Sequence, residues 1–359
     1  MPDQLKNIEI LQRTGKTNVC IFGYFWKDDR KLHLQSMLEK NGFRVWFSND
    51  KDDLLKLDNN LQDTLLLVTN RTSLLETVET KMNEIGAADR LFIYDFDNNR
   101  IMKYGKPVLL YMEYHVAWHC NLRCKGCSHY CNLYDRPKFG DPVKYRENLL
   151  RLRELFDNIV TLRLMGGEPF LNPELSAFVQ ISREVFPDAD LRVVSNGLLI
   201  PKVDDAVLNS LKQHRASVDI SNYHPTARIL DKITDRLYSA GVRYKASKEI
   251  FRFRLIADNV EKDGTYNFNH CFERHCHFLH DDGRFSMCGI PCFYDEVKDK
   301  MRAAKEVSEK NWVNIYRAED GFEILREFNR EIPFCTYCLN KNPVLFPWQG
   351  NYTKELTEE

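Results

Sequence analysis

No stretch of the 359-residue chain approaches the roughly 18 consecutive apolar residues that a helix needs to span a bilayer. The N-terminal sequence MPDQLKNIEILQRTGK holds no apolar run long enough for a secretory signal. Neither charge sign is in excess. Lys and Arg number 51 against 52 Asp and Glu, so the formal net charge is −1 and no overall field draws the chain to nucleic acid or to an anionic membrane. These absences predict a soluble, cytoplasmic protein with neither nucleic acid nor membrane among its partners. Hydrophobic residues at 43% and charged residues at 29% match an ordinary globular protein, and the length calls for two or three domains.

Cysteine, in contrast, is abundant and unevenly placed. Of eleven, Cys20 stands alone in an apolar run and is expected to be a small buried hydrophobe. Four fall within Cys120–Cys131, four within Cys271–Cys292, and the last two are Cys335 and Cys338. In a reducing cytosol, clustered thiols read as metal ligands before disulfides.

Residues 1–105 read as a small α/β unit. Strands are expected at Val19–Phe22, Phe43–Phe47, Leu65–Thr69 and Leu91–Tyr94. One helix carries Leu34, Met37 and Leu38 on a single face, and another is expected over Leu74–Ile85. The first strand runs into Gly23, where a dinucleotide fold would place its glycine-rich turn. Here the turn reads Gly23-Tyr24-Phe25-Trp26-Lys27, and the two further glycines needed for pyrophosphate are missing. Over about 80 residues this unit resembles half-Rossmann domains attached to enzymes of sugar and capsule biosynthesis. With the fingerprint absent, docking or a structural role is the expectation.

A second strand–helix series begins near residue 108. Strands are expected at Val108–His115, Ile159–Met165, Leu191–Ser195, Ser217–Ser221 and near Val242–Tyr244. Asp141 and Pro142 start the first intervening helix, which buries Tyr145, Leu149, Leu152 and Phe156. Asn172 and Pro173 start the next, which buries Leu175, Phe178 and Val179. Right-handed crossovers would curl such strands into a full or partial α/β barrel, with reactive groups at the C-terminal strand ends.

The segment Cys120-Asn121-Leu122-Arg123-Cys124-Lys125-Gly126-Cys127 follows the first of these strands. Three thiolates within eight residues can wrap one cuboidal iron–sulfur cluster and leave its fourth iron open. A zinc site on Cys120, Cys124, Cys127 and Cys131 has acceptable gaps too. Further motifs close the next strands: Gly166-Gly167-Glu168-Pro169, Ser195-Asn196-Gly197, and Asp219-Ile220-Ser221-Asn222. His115, His119 and His129 lack partner spacing and read as packing or surface residues.

In the C-terminal part, a β-hairpin is expected from His277–Leu279 through Asp281-Asp282-Gly283 to Arg284–Met287. It would bring Cys276 and Cys288 together, and Cys335 and Cys338 could close a four-thiolate cage with them. Cys271 and Cys292 are the alternates. A zinc ribbon could use the same thiols.

From residue 108 to 245 this motif order resembles the radical SAM superfamily. The resemblance implies a three-cysteine [4Fe–4S] cluster whose open iron chelates S-adenosylmethionine (SAM). That family usually carries an aromatic residue before the third cysteine; Gly126 stands there instead, leaving a backbone contact at this position. The resemblance implies SAM contacts from Gly126, Gly166, Gly167, Glu168, Ser195, Asn196 and Asp219. The C-terminal cysteines look like a twitch domain, the shortened SPASM module, with one auxiliary [4Fe–4S] cluster on Cys276, Cys288, Cys335 and Cys338.

The expected architecture is a half-Rossmann-like domain at 1–105, a partial (β/α)6-type radical SAM barrel at 106–265, a twitch/SPASM-like domain at 266–345 and a tail at 346–359. The implied activity is reductive cleavage of SAM to a 5′-deoxyadenosyl radical, which abstracts hydrogen from a small polar substrate such as a sugar or sugar nucleotide. The implied electron donor is a flavodoxin or ferredoxin. A peptide or protein maturase is the alternative, and a non-catalytic zinc-binding protein a third reading. Glu168, His224 and Arg254 are unranked candidates for proton transfer.

Overall fold

The computed structural model describes residues 5, 7–23, 28–48, 64–69, 78, 82, 90–95, 99–103, 107–258, 260–271, 273–300, 307–318 and 321–350. The chain divides into two compact units, residues 1–110 with 156–160, and residues 111–155 with 161–359.

The first unit is built on a five-stranded sheet. Strands β1 (Asn18–Phe22), β2 (Arg44–Ser48), β3 (Thr64–Thr69), β4 (Leu91–Asp95) and β5 (Arg100–Lys103) lie in the order β2-β1-β3-β4-β5. The first four are parallel, and β5 returns antiparallel to β4. Both β3 and β4 are buried along their whole length, as expected of strands covered on two faces. Val19, Ile21, Leu34, Leu38, Leu65, Leu67 and Phe92 form the core, and Cys20 is buried as expected. Gly23 has φ of +134°, and a Cβ there would meet Thr69 Oγ1 at 2.2 Å. Its glycine therefore answers to packing. Residues 24–27 of the expected turn and most of the expected Leu74–Ile85 helix lie outside the described residues.

An eight-stranded sheet organises the second unit. It comprises β6 (Val108–Ala117), β7 (Asn158–Gly166), β8 (Asp190–Ser195), β9 (Ser217–Ile220), β10 (Tyr244–Ala246), β12 (Phe278–Leu279), β13 (Arg284–Ser286) and β14 (Val313–Asn314), in the order β10-β9-β8-β7-β6-β12-β13-β14. β7 through β10 pair in parallel, joined by helices Leu175–Val185, Asp205–Gln213 and Leu230–Ala240. This is the α/β architecture with a parallel sheet that the strand–helix alternation implies. Among the described residues no pairing joins β14 to β10, so the sheet is open. The Asp141 carboxylate accepts from Val143 N at 2.8 Å and caps helix Pro142–Leu155.

Two expected boundaries change. The hairpin β12–β13 forms over the expected residues, with Phe278 opposite Ser286, but β12 also pairs in parallel with β6. The cysteine-rich segment is therefore an extension of the same sheet, and residues 266–345 are no separate unit. The expected tail from 346 is ordered at its start: β15 (Val344–Pro347) pairs antiparallel with β11 (Arg252–Leu255).

Candidate metal centre

Strand ends build the site. Gly167 N donates to Ala117 O at 2.7 Å, and Glu168 N to His119 O at 3.1 Å, binding the end of β7 to the segment that enters the cysteine loop. A Cβ at Gly166 would meet Ala117 O at 2.1 Å, and one at Gly167 would meet His119 O at 1.9 Å. Two glycines are thus required by backbone meeting backbone. Asn172 Nδ2 adds a buried bond to Val116 O at 2.7 Å.

Each thiol of the loop already accepts N–H groups. Cys120 Sγ accepts from Leu122 N at 3.4 Å and from Asn196 Nδ2 at 3.6 Å. Cys124 Sγ accepts from the indole Nε1 of Trp348 at 3.3 Å. The Cys131 thiol and the backbone N–H groups of residues 129–131 point at Cys127 and hold it below the usual thiol range. Burial pushes Cys124 up to about 12, with Cys127 nearby adding to the shift. Such outer donors are what a set of thiolate ligands needs to carry its charge. None of the clustered cysteines is in a disulfide. Among the described residues no three His, Cys, Asp or Glu side chains converge on one point suited to a single ion. A cuboidal cluster shares its charge over several metals, and the three-thiol donor set with its N–H shell fits that group.

These thiols border a cavity of about 400 Å³, lined also by Gly126, Gly166, Gly167, Ser195 and Asn196, with Arg163, Tyr223, Arg252, Arg254 and Glu273 opposite. Two expected contact residues do not line it. Glu168 is fully buried, and its carboxylate accepts from Ser195 Oγ at 2.8 Å, Asn196 N at 2.9 Å and Phe170 N at 3.1 Å. Burial raises it to about 7 against those donors. Asp219 reaches Arg163 at 3.3 Å and Arg192 at 3.6 Å. Arg163 is held further by Tyr111 Oη at 2.7 Å. Glu168 and Asp219 therefore fix the groups that line the cavity. His224 bonds Glu249 at 3.0 Å, away from the cavity lining.

His129 does line the cavity, which its lack of partner spacing concealed. Its Nδ1 meets His115 Nε2 at 2.8 Å, and both rings stack on Phe293. His115 and His119 keep the expected packing roles; His119 Nδ1 accepts from Lys138 N at 3.2 Å.

In the C-terminal part, burial raises the thiols of Cys288, Cys335 and Cys338, and Cys271 lies close enough to add to the rise in all three. Asn267 Nδ2 donates to Cys335 O at 3.0 Å and Cys338 O at 2.9 Å, fixing that turn. Cys276, expected in the set, is elsewhere: its thiol donates to Glu273 Oε2 at 3.4 Å, beside Glu113 and Arg163. The short turn Glu273–His275 separates it from Cys271. Cys292 is fully buried with Trp118, Phe278 and Phe293 and behaves as a hydrophobe.

A family model described as "4Fe-4S single cluster domain" matches residues 108–228. The GTP 3',8-cyclase of Campylobacter jejuni subsp. jejuni (serotype O:6) is 30% identical over 141 residues, 37% of this chain and 41% of that protein. The GTP 3',8-cyclase of a Sulfurovum species is 32% identical over 113 residues, 28% and 32% of the two chains. The chain thus spans about two fifths of the first of these relatives' length. Among solved structures, BtrN in complex with AdoMet and 2-DOIA is 18% identical, with TM-score 0.39, covering 72% of this chain and 98% of its own. AnSMEcpe with bound AdoMet is 11% identical, with TM-score 0.40, covering 65% and 90%. The cysteine loop, the glycine and asparagine turns that close on it, and the iron–sulfur match across the same residues agree. The similarity therefore extends to an iron–sulfur cluster domain over residues 108–228, which contain the whole cysteine loop and the glycine and asparagine turns around it.

Proposed function

We propose that this enzyme is of the oxidoreductase type, cleaving SAM reductively and removing a hydrogen atom from a small polar molecule, a sugar or sugar nucleotide. The observation that carries the reading is the loop of three thiols, each supplied with N–H donors, on the rim of a polar cavity of about 400 Å³. Cys120, Cys124 and Cys127 would hold the SAM-cleaving cluster. Gly126, Gly166, Gly167, Ser195 and Asn196 would present polar groups to SAM, with Glu168 and Asp219 bracing them from behind. When bound and reduced, this pair of cofactors supplies a carbon radical able to take hydrogen from an unactivated C–H bond. The chain's task is to place the substrate carbon and exclude water.

Arg252 and Arg254 reach the cavity from β11 in addition to Arg163. SAM has one carboxylate, so this number of guanidinium groups suits a second partner rich in phosphate or hydroxyl oxygens. Cys271, Cys288, Cys335 and Cys338 would hold the auxiliary cluster, a closed four-thiolate set of the kind that passes electrons. A flavodoxin or ferredoxin would supply the first electron.

Anaerobic reconstitution with iron and sulfide, followed by reduction in the presence of SAM, tests the reading. Deoxyadenosine should form in the wild type and vanish when Cys120, Cys124 and Cys127 are all alanine. Formation undiminished by that triple change would end the assignment. A panel of deuterated sugar nucleotides and peptides then tests the substrate class, because label should enter deoxyadenosine from the sugars. Label arriving only from peptides would replace the sugar reading with a maturase.

A further inference from the structure

Gly126 leaves a space that another part of the chain fills. Its φ is +71°, and a Cβ there would lie 2.2 Å from Cζ of Phe346. Phe346 sits on β15, opposite Phe253 of β11. Beyond the strand, Trp348 N donates to Phe251 O at 2.8 Å, and Lys125 N donates to Gln349 O at 2.8 Å. Phe346 and Trp348 are the two half-buried residues of a segment whose other residues from 344 to 349 are exposed, so both turn inward at a strand's period of two. The Trp348 ring stacks on Tyr223, with centroids 5.6 Å apart and planes at 18°, and Tyr223 lines the cavity. Held in this way, the indole Nε1 donates to Cys124 Sγ at 3.3 Å.

The donors at Cys120 and Cys127 come from the loop itself or from the β8 turn. The donor at Cys124 comes from a segment more than 200 residues away, 224 positions along the chain. An N–H aimed at a ligating sulfur stabilises the cluster more as it gains negative charge, so it favours the reduced state. Indole is suited to this because it only donates and stays uncharged at every accessible pH.

We propose that Trp348 is a positioning residue that raises the reduction potential of the SAM-cleaving cluster through Cys124, with Phe346 seated over Gly126 to hold the strap in place. The inference rests on Cys124 being a ligand of that cluster. Redox titration followed by electron paramagnetic resonance tests it on the full-length reconstituted protein. W348F should assemble the cluster and show its midpoint shifted to more negative potential. F346L, which loosens the strap without removing the donor, should shift it less. In wild-type protein grown on indole-¹⁵N tryptophan, the reduced cluster should show a ¹⁵N hyperfine coupling. An unmoved midpoint in cluster-loaded W348F overturns the inference, and so does the absence of coupling in the wild type, whether or not the variant loads. A wild type that forms no SAM-cleaving cluster overturns the functional reading with it. A cluster that cleaves SAM at an unchanged midpoint in W348F overturns the role of Trp348 alone.

Discussion

Glu168 gives up its freedom to the protein's own donors. Its oxygens accept from Ser195, Asn196 and Phe170, yet burial outweighs those bonds and raises it to about 7. Between the ordinary carboxyl range near pH 4.5 and pH 7, the unfolded chain has lost this proton while the folded chain keeps it. Stability therefore falls as pH rises through that window and levels off above it, by up to roughly 3 kcal/mol from this group. Glutamine at 168 cannot titrate. Melting curves of apo wild type and Glu168→Gln, recorded from pH 4.5 to 7.5, should converge or cross as the wild type loses stability; parallel curves would remove the assignment. Gly167 makes a steric counterpart. Alanine there sets a methyl 1.9 Å from His119 O, so the strand end must retreat from the cysteine loop. Gly167→Ala should cost at least about 2 kcal/mol and reduce iron uptake, measured by melting and by iron content. A variant that melts and loads like wild type would show that the close approach is dispensable.

At the scale of elements, the turn Glu273–His275 decides which thiols lie together. It leaves Cys271 near Cys288, Cys335 and Cys338, and hands Cys276 to Glu273. After anaerobic reconstitution, Cys271→Ala should lose one cluster's share of iron while Cys276→Ala keeps it. The reverse pattern would restore Cys276 to the cage. Linear spacing favoured Cys276 because it flanks the hairpin, and only the folded path of residues 271–276 separates the two. What periodicity and capping control was legible. β6 to β10 stand within two residues of their expected positions, and the Asp141 cap sits where its sequence signature puts it. β15 was hidden because Val344-Leu345-Phe346-Pro347 lacks polar alternation and carries a proline. It owes its form to β11, a pairing across some 90 residues, so no local rule could reveal Trp348 as a neighbour of Cys124.

Over the whole second unit, the sheet does not stop where the cysteine-rich segment begins. β12 lies parallel to β6, with Phe278 opposite Glu113 and Leu279 opposite Tyr114, and Glu113 N donates to His277 O at 2.7 Å. Phe278, Leu279 and Phe285 are fully buried, and Phe278 packs with Trp118 and Phe293. At about 2 kcal/mol for each fully buried apolar side chain, those three contribute about 6 kcal/mol, comparable to the entire net stability of a typical domain. A chain ending at residue 265 would lose that contribution and expose the hydrogen-bonding edge of β6 together with Trp118. Exposed apolar edges pair with other chains. Such a truncation should therefore aggregate or lose its near-ultraviolet circular dichroism, even though it retains all three loop cysteines and every glycine turn around them. A monomeric, cooperatively melting 1–265 fragment on size exclusion would mean that β6 to β10 carry their own core, and that β12 to β14 are an attachment to it.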